Sequence, residues 1–234
     1  MKLSDPNLIS AQAAAFKIWR KLGHIHPSEV DLADLAQFRG VTVAEGNLSG
    51  AEGRLTRKGS KGIIRINRNI TREGQRRFTI AHELGHWELH EHHTQFTCSK
   101  NDMKDYSKSN MEIEANFFAA ELLMPPKHFR QAINSQKTSI SLLKELAREF
   151  NTTLTSTAIR LANDLKRNII VVWIQNDQIK WSYSAPNKGL LRVLPGIAPE
   201  YSSSRLPNSE LLHGMDYYDQ AIWFPQIHNP PEVI

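Results

Sequence analysis

The sequence predicts an α+β fold: a mainly helical unit with a small sheet, then a helical pair, then a small strand-rich C-terminal region. Three observations predict it. Segments with apolar residues at helical spacing dominate the first half and are broken by only a few short β-type runs. Two adjacent prolines, Pro125 and Pro126, mark a change of character, and beyond them a helical pattern gives way to an alternating run with turn residues at its middle. The corresponding boundaries are 1–130, 131–167 and 168–234.

The elements follow in order. "NLISAQAAAFKIWRKLG" and "SEVDLADLAQFRG" read as helices stopped at Gly23 and Gly40. "VTVAEG" is a short strand, and "GRLTRKGSKGIIRIN" is two strands joined at "KGSKG". A helix opens near Thr71, with Phe78, Ala81 and Leu84 on a shared buried side. Residues 91–110 lose periodicity and read as a loop, after which "MEIEANFFAAELLMPP" is a helix ended by the two prolines. "SLLKELAREFNTTLTSTAIRLANDL" is two helices around a break at "NTT", and "NIIVVWIQNDQIKWSYS" is a hairpin turning at "QND". The tail from Pro195 holds six of the eleven prolines and offers only short strands.

Composition excludes several classes. With 40% hydrophobic and 23% charged residues the chain is globular and not disordered. Its longest strongly apolar run, "IIVVWI", is too short for a bilayer, so no membrane anchoring is expected. One cysteine, Cys98, rules out an internal disulfide framework and fits a reducing cytoplasm. The net charge of +5 suits nucleic acid or an acidic protein and decides between neither.

The chemistry concentrates in "TIAHELGHWELHEHH", residues 79–93. His82 and His86 are four apart on a helix, so their rings project from one face and can ligate a single zinc. Glu83 lies one step round, near enough to take a proton from water without being a ligand. This is the H-E-x-x-H arrangement of zinc-dependent peptide hydrolysis, although manganese can replace zinc in such a site. Gly85, costly inside a helix, implies a tightly packed neighbour or a crowded site.

Catalytic zinc usually has three protein ligands. Two residues compete for the third place. His92 has the spacing of a longer three-histidine motif, but Leu89 stands where that motif has the glycine that breaks its helix. Glu112, on the next helix, is the better placed of the two, with Asn116 one turn later on the same face to orient His82 or His86. Glu114 points about 200° away from Glu112. His90 reads as a structural or rim histidine, and Cys98 as a bystander more readily than as a redox latch.

"RRFTIAHELGHWELH" followed by "EIEANFFAAELLMP" resembles the ImmA/IrrE-like family of zinc metallopeptidases, and "VDLADLAQFRGVTV" and "GIIRIN" extend the likeness upstream over about residues 25–126. The resemblance implies a zincin-like metallopeptidase domain with His82, His86 and Glu112 as metal ligands and Glu83 as general base and acid. It also implies a protein substrate, a helix-turn-helix repressor whose cleavage releases stress-response or mobile-element genes. By the same resemblance the helical pair would stand for the family's helix-turn-helix-like middle, and the last segment for a reduced form of its GAF-like sensor. The reading from another class is a DNA- or protein-binding regulator with a structural zinc and no proteolysis.

Two surfaces complete the expectations. "GIIRIN" is read as the edge strand on which an extended substrate lies, with Ile63, Ile64, Arg65 and Ile66 as its contacts. Between Arg54 and Arg77, nine Lys or Arg stand against one acidic residue, Glu73; a solvated face beside the cleft is favoured over a nucleic-acid surface. Packing is likewise favoured over DNA reading for the helical pair.

Overall fold

The computed structural model describes residues 6–92, 95–98, 109–133, 136–164, 169–176, 178–185, 196–197 and 232–233. It divides into two compact units. The first comprises Met1–Asn134 with Leu146–Thr153, and the second Ser135–Glu145 with Leu154–Ile234. The expectations for the Cys98 side chain and for most of the proline-rich tail lie outside the described residues.

The first unit opens with α1 (Leu8–Leu22), whose N-cap Asn7 accepts the Ser10 N–H. A 3-10 turn at Pro27–Glu29 precedes α2 (Leu32–Phe38), because Asp31 starts a new helix by accepting the N–H groups of Ala33 and Asp34. The single helix expected from "SEVDLADLAQFRG" is therefore two short pieces. Strands β1 (Val41–Gly46), β2 (Gly53–Lys58) and β3 (Lys61–Asn67) follow, and the backbone of β4 (Gln95–Cys98) completes a sheet of order β1-β3-β2-β4. β1 runs parallel to β3, and β2 is antiparallel to both β3 and β4.

This order corrects the edge-strand expectation. β3 lies between β1 and β2 and pairs with both, so Ile63, Ile64, Arg65 and Ile66 do not offer a free backbone edge to a substrate. The run "GIIRIN" alternates buried and exposed, with Ile64 and Ile66 fully buried on the core side. That alternation marks an inner strand with one solvent face as well as it would an edge.

Under the sheet's buried face runs α3 (Glu73–Leu89), and across it α4 (Asn110–Leu123). Phe78, Ala81 and Leu84 are buried as expected, but burial continues right round α3 from Arg77 to Trp87. A helix enclosed on every side is the axis of its unit, which explains why its sequence lacks a clean amphipathic stripe. Trp19 on α1 donates to the Leu122 carbonyl at 3.1 Å and ties α1 to α4. Pro125 follows the end of α4 as expected; Pro126 instead opens a further helix, α5 (Pro126–Ile133), at the N-terminal position where a missing N–H costs nothing.

α6 (Ile140–Glu149) and α7 (Leu154–Ala162) flank the predicted break, where Asn151 takes a left-handed φ of 49°. In the second unit β5 (Ile169–Gln175) and β6 (Gln178–Ser184) form the expected hairpin, with Trp173 and Trp181 stacked across it at 6.3 Å. Short strands β7 (Gly196–Ile197) and β8 (Glu232–Val233) flank the pair in the order β7-β6-β5-β8. Among the described residues no helix is long and apolar enough to cross a membrane.

Candidate metal centre

Two close approaches build the site. α3 and α4 cross at Gly85, where an added Cβ would lie 3.0 Å from the Ala115 Cα and 3.1 Å from its carbonyl oxygen. This is the crowding that a glycine inside the helix foretold. On the other side of α3, β2 passes so near that a Cβ on Gly53 would collide with Oε1 of Glu83. α3 is thus held between a helix that carries Glu112 and a strand that backs Glu83.

At the first crossing three side chains converge. Nε2 of His82 lies 3.1 Å from Nε2 of His86, and Glu112 sets Oε2 3.1 Å from His82 and Oε1 3.3 Å from His86. Ligand atoms of a tetrahedral zinc with bonds of 2.0–2.1 Å stand about 3.3 Å apart, so these three donors fit one ion of that size. Their chemistry fits as well: two imidazoles and a carboxylate are the donors of a catalytic zinc site with an open fourth position. Both histidines are fully buried, and only Glu112 keeps some exposure, 17% of its side chain.

The electrostatics follow from the packing. Burial, with the neighbouring His82 and His90, pushes the His86 pKa down to about 4, against the pull of Glu112. His82 is also opposed by burial, but Glu112, Glu83 and Asn116 outweigh it and raise its pKa. Burial would raise Glu112, yet the two histidines hold its carboxyl well below the usual range. Glu112 is accordingly an anion and His86 a neutral imidazole, the forms a metal requires.

Glu83 is fully buried on α3 between His82 and the β2 backbone. Asn116, also fully buried, places Oδ1 3.0 Å from Nδ1 of His82. With Nε2 of His82 turned to the cluster, its Nδ1–H donates to Asn116 and holds the ring. His92 sits apart, exposed in the turn beyond the end of α3, and is not one of the clustered ligands.

The basic stretch separates into structural and exposed groups. Arg77 is buried and donates to the carbonyls of Val30 and Pro27, Arg76 pairs with Glu45 at 2.7 Å, and Arg57 stacks 3.7 Å over Trp87 and donates to its carbonyl. Arg54, Lys58, Lys61 and Arg65 share the solvent face of the sheet, where Arg54 lies opposite Arg65 and Lys58 opposite Lys61.

Sequence reasoning missed the partners behind His86. Nδ1 of His90 lies 3.0 Å from Nδ1 of His86, and its Nε2 lies 3.0 Å from Oε2 of Glu114. The signal was present in the spacing, since His90 stands one helical turn beyond His86 as His86 does beyond His82.

Known proteins are similar to parts of this chain. The family profile for the IrrE N-terminal-like domain of the peptidase M78 group matches residues 36–162, more than half of the chain. The metallopeptidase ImmA of Bacillus subtilis (strain 168) is 36% identical over 74 residues, 30% of this chain and 39% of that protein. An uncharacterised immunity region protein of Bacillus phage phi105 is 39% identical over 81 residues, 35% of this chain and 49% of that protein. The chain thus spans less than half the length of each of these relatives. A Mycobacterium tuberculosis transcriptional regulator of known structure aligns with a TM-score of 0.49 at 24% identity, over 67% of this chain and 48% of its own.

Proposed function

This chain belongs to the IrrE N-terminal-like, peptidase M78 family, and from that premise we propose that it is an intracellular zinc metalloprotease that cleaves one regulatory protein, a helix-turn-helix transcriptional repressor. The observation that carries the reading is the meeting of His82, His86 and Glu112 at one point, with Glu83 buried on the same helix. A metal ion held there supplies positive charge that polarises the scissile carbonyl and acidifies water. Glu83, backed by Gly53, accepts the proton of the attacking water and returns it to the leaving amine. Asn116 keeps the His82 ring turned to the cluster.

Selectivity in this reading arises away from the cluster. Backbone pairing, left to the outer strands β1 and β4 among the described residues, brings little discrimination between side chains. The exposed cations Lys58, Lys61 and Arg65 supply a second, charge-dependent contact with the protein substrate. Cleavage of the repressor then relieves repression of stress-response or mobile-element genes.

The test is to incubate the zinc-loaded chain with helix-turn-helix repressors encoded beside its gene and to look for a discrete fragment. Glu83→Gln is expected to keep both metal and fold while losing cleavage. Full regulatory activity of that variant in cells would show instead a regulator that works without proteolysis.

A further inference from the structure

We infer that His90 and Glu114 are positioning residues for the metal, forming with His86 a chain of hydrogen bonds that ends on a carboxylate and sets how tightly His86 binds. The inference rests on the reading that His82, His86 and Glu112 hold a metal ion.

The argument is one of proton placement. His86 turns Nε2 into the cluster, 3.1 Å from Nε2 of His82, so a neutral His86 that binds metal there carries its proton on Nδ1. That N–H faces Nδ1 of His90 at 3.0 Å, which must therefore accept. A neutral His90 that accepts through Nδ1 has its proton on Nε2, and this atom lies 3.0 Å from Oε2 of Glu114. The carboxylate accepts there, while its Oε1 takes the backbone N–H of Asn7 at 2.6 Å. One tautomer at each ring satisfies every link; the other tautomer of His90 would set two N–H groups against each other.

The surroundings make these links count. His86 is fully buried, His90 keeps 6% of its side-chain exposure and Glu114 16%, so the chain is largely shielded from water. The two metal-facing imidazoles are consequently unequal. His82 is backed by a neutral amide, whereas His86 is backed through His90 by a carboxyl group, a chain that keeps its proton on Nδ1 and its Nε2 lone pair turned into the cluster. Glu114 also explains why two glutamates so close in sequence serve one site from different sides. Glu112 enters it directly, and Glu114, about 200° round α4, reaches it only through His90.

The experiment titrates the metal-stripped full-length protein with cobalt(II) and with zinc against a competing chelator, for the wild type, His90→Leu, His90→Gln and Glu114→Gln. His90→Leu, which removes the acceptor, is expected to weaken metal binding about 10- to 100-fold. Glu114→Gln is expected to weaken it by a smaller factor, and both are expected to shift the cobalt absorption bands. His90→Gln, whose amide oxygen can accept from Nδ1 of His86, is expected to recover most of the affinity. Long-range 15N–1H correlation spectra of the zinc-loaded wild type are expected to show His90 protonated on Nε2. Should His90→Leu fail to fold, Glu114→Gln and the wild-type tautomer decide the matter. Wild-type binding with unchanged affinity and cobalt spectrum in the folded variants, or His90 protonated on Nδ1, would overturn this inference alone. A wild type that binds neither metal overturns the metal reading and this inference with it.

Discussion

Gly85 of α3 and Ala115 of α4 touch backbone to backbone, and this contact brings Glu112 within reach of the two histidines. Gly85→Ala should therefore weaken metal binding more than it weakens the fold. Overpacking costs about 1–3 kcal/mol, against about 1 kcal/mol recovered from the better helix propensity of alanine. Denaturant unfolding and metal titration on the same variant check this; a variant both more stable and equally tight would contradict the crossing as drawn.

The ligand set gives a second expectation. Glu112→Ala should strip most of the metal from the purified protein, while His92→Ala, at an exposed position, should keep near wild-type content. Metal analysis by mass spectrometry decides, and the opposite pattern would return the third place to His92.

Acid should release the metal in a definite order. His86 remains neutral down to about 4, and Glu112 remains ionised further into acid. His82, for which Glu112, Glu83 and Asn116 outweigh the effect of burial, has its pKa above the ordinary 6.5. A raised pKa favours the protonated ring in the metal-free protein, so apparent affinity is full above that pKa and falls as pH drops through it. Occupancy measured at fixed total metal should decline as the pH falls through the raised His82 pKa, before His86 begins to protonate. Occupancy that holds unchanged to about pH 4 would show that His82 does not lead.

Charge on the sheet should favour substrate binding and slightly oppose the fold. Replacing Lys58, Lys61 and Arg65 by glutamine is expected to lower kcat/KM for the repressor by about tenfold at low ionic strength and less in high salt. It should also remove the like-charge opposition of Lys58 to Lys61 and of Arg54 to Arg65. Arg57→Ala should instead lower stability, because Arg57 packs on Trp87 and bonds its carbonyl. Equal cleavage of casein and repressor by the triple variant and the wild type would leave the cleft alone in control of specificity.

What was legible in the sequence was local. The H-E-x-x-H spacing, the preference for Glu112 over His92 and the pairing of Asn116 with a ligand histidine depend on helical geometry, which a few residues specify. The place of β3 inside the sheet was not legible, since alternation tells which side of a strand is buried but not how many neighbours it has. The bond between His90 and Glu114 joins the same two helices as the bond between His82 and Asn116, and it was hidden because Glu114, about 200° round α4 from Glu112, reads as turned away from the site. The cationic run misled in part because Arg77 and Arg57 look like surface residues until they are seen to donate hydrogen bonds to the carbonyls of Pro27, Val30 and Trp87.

His82 and His86 come from one helix and Glu112 from another, so the site exists only in the folded chain. A metal bound there favours the native state by mass action, about 2.7 kcal/mol when the free ion stands at a hundred times its dissociation constant. The melting temperature of this protein is then a gauge of the ion's free concentration. Were that ion scarce, the same chain would unfold more often, and loss of the metal would act on the fold as well as on the site.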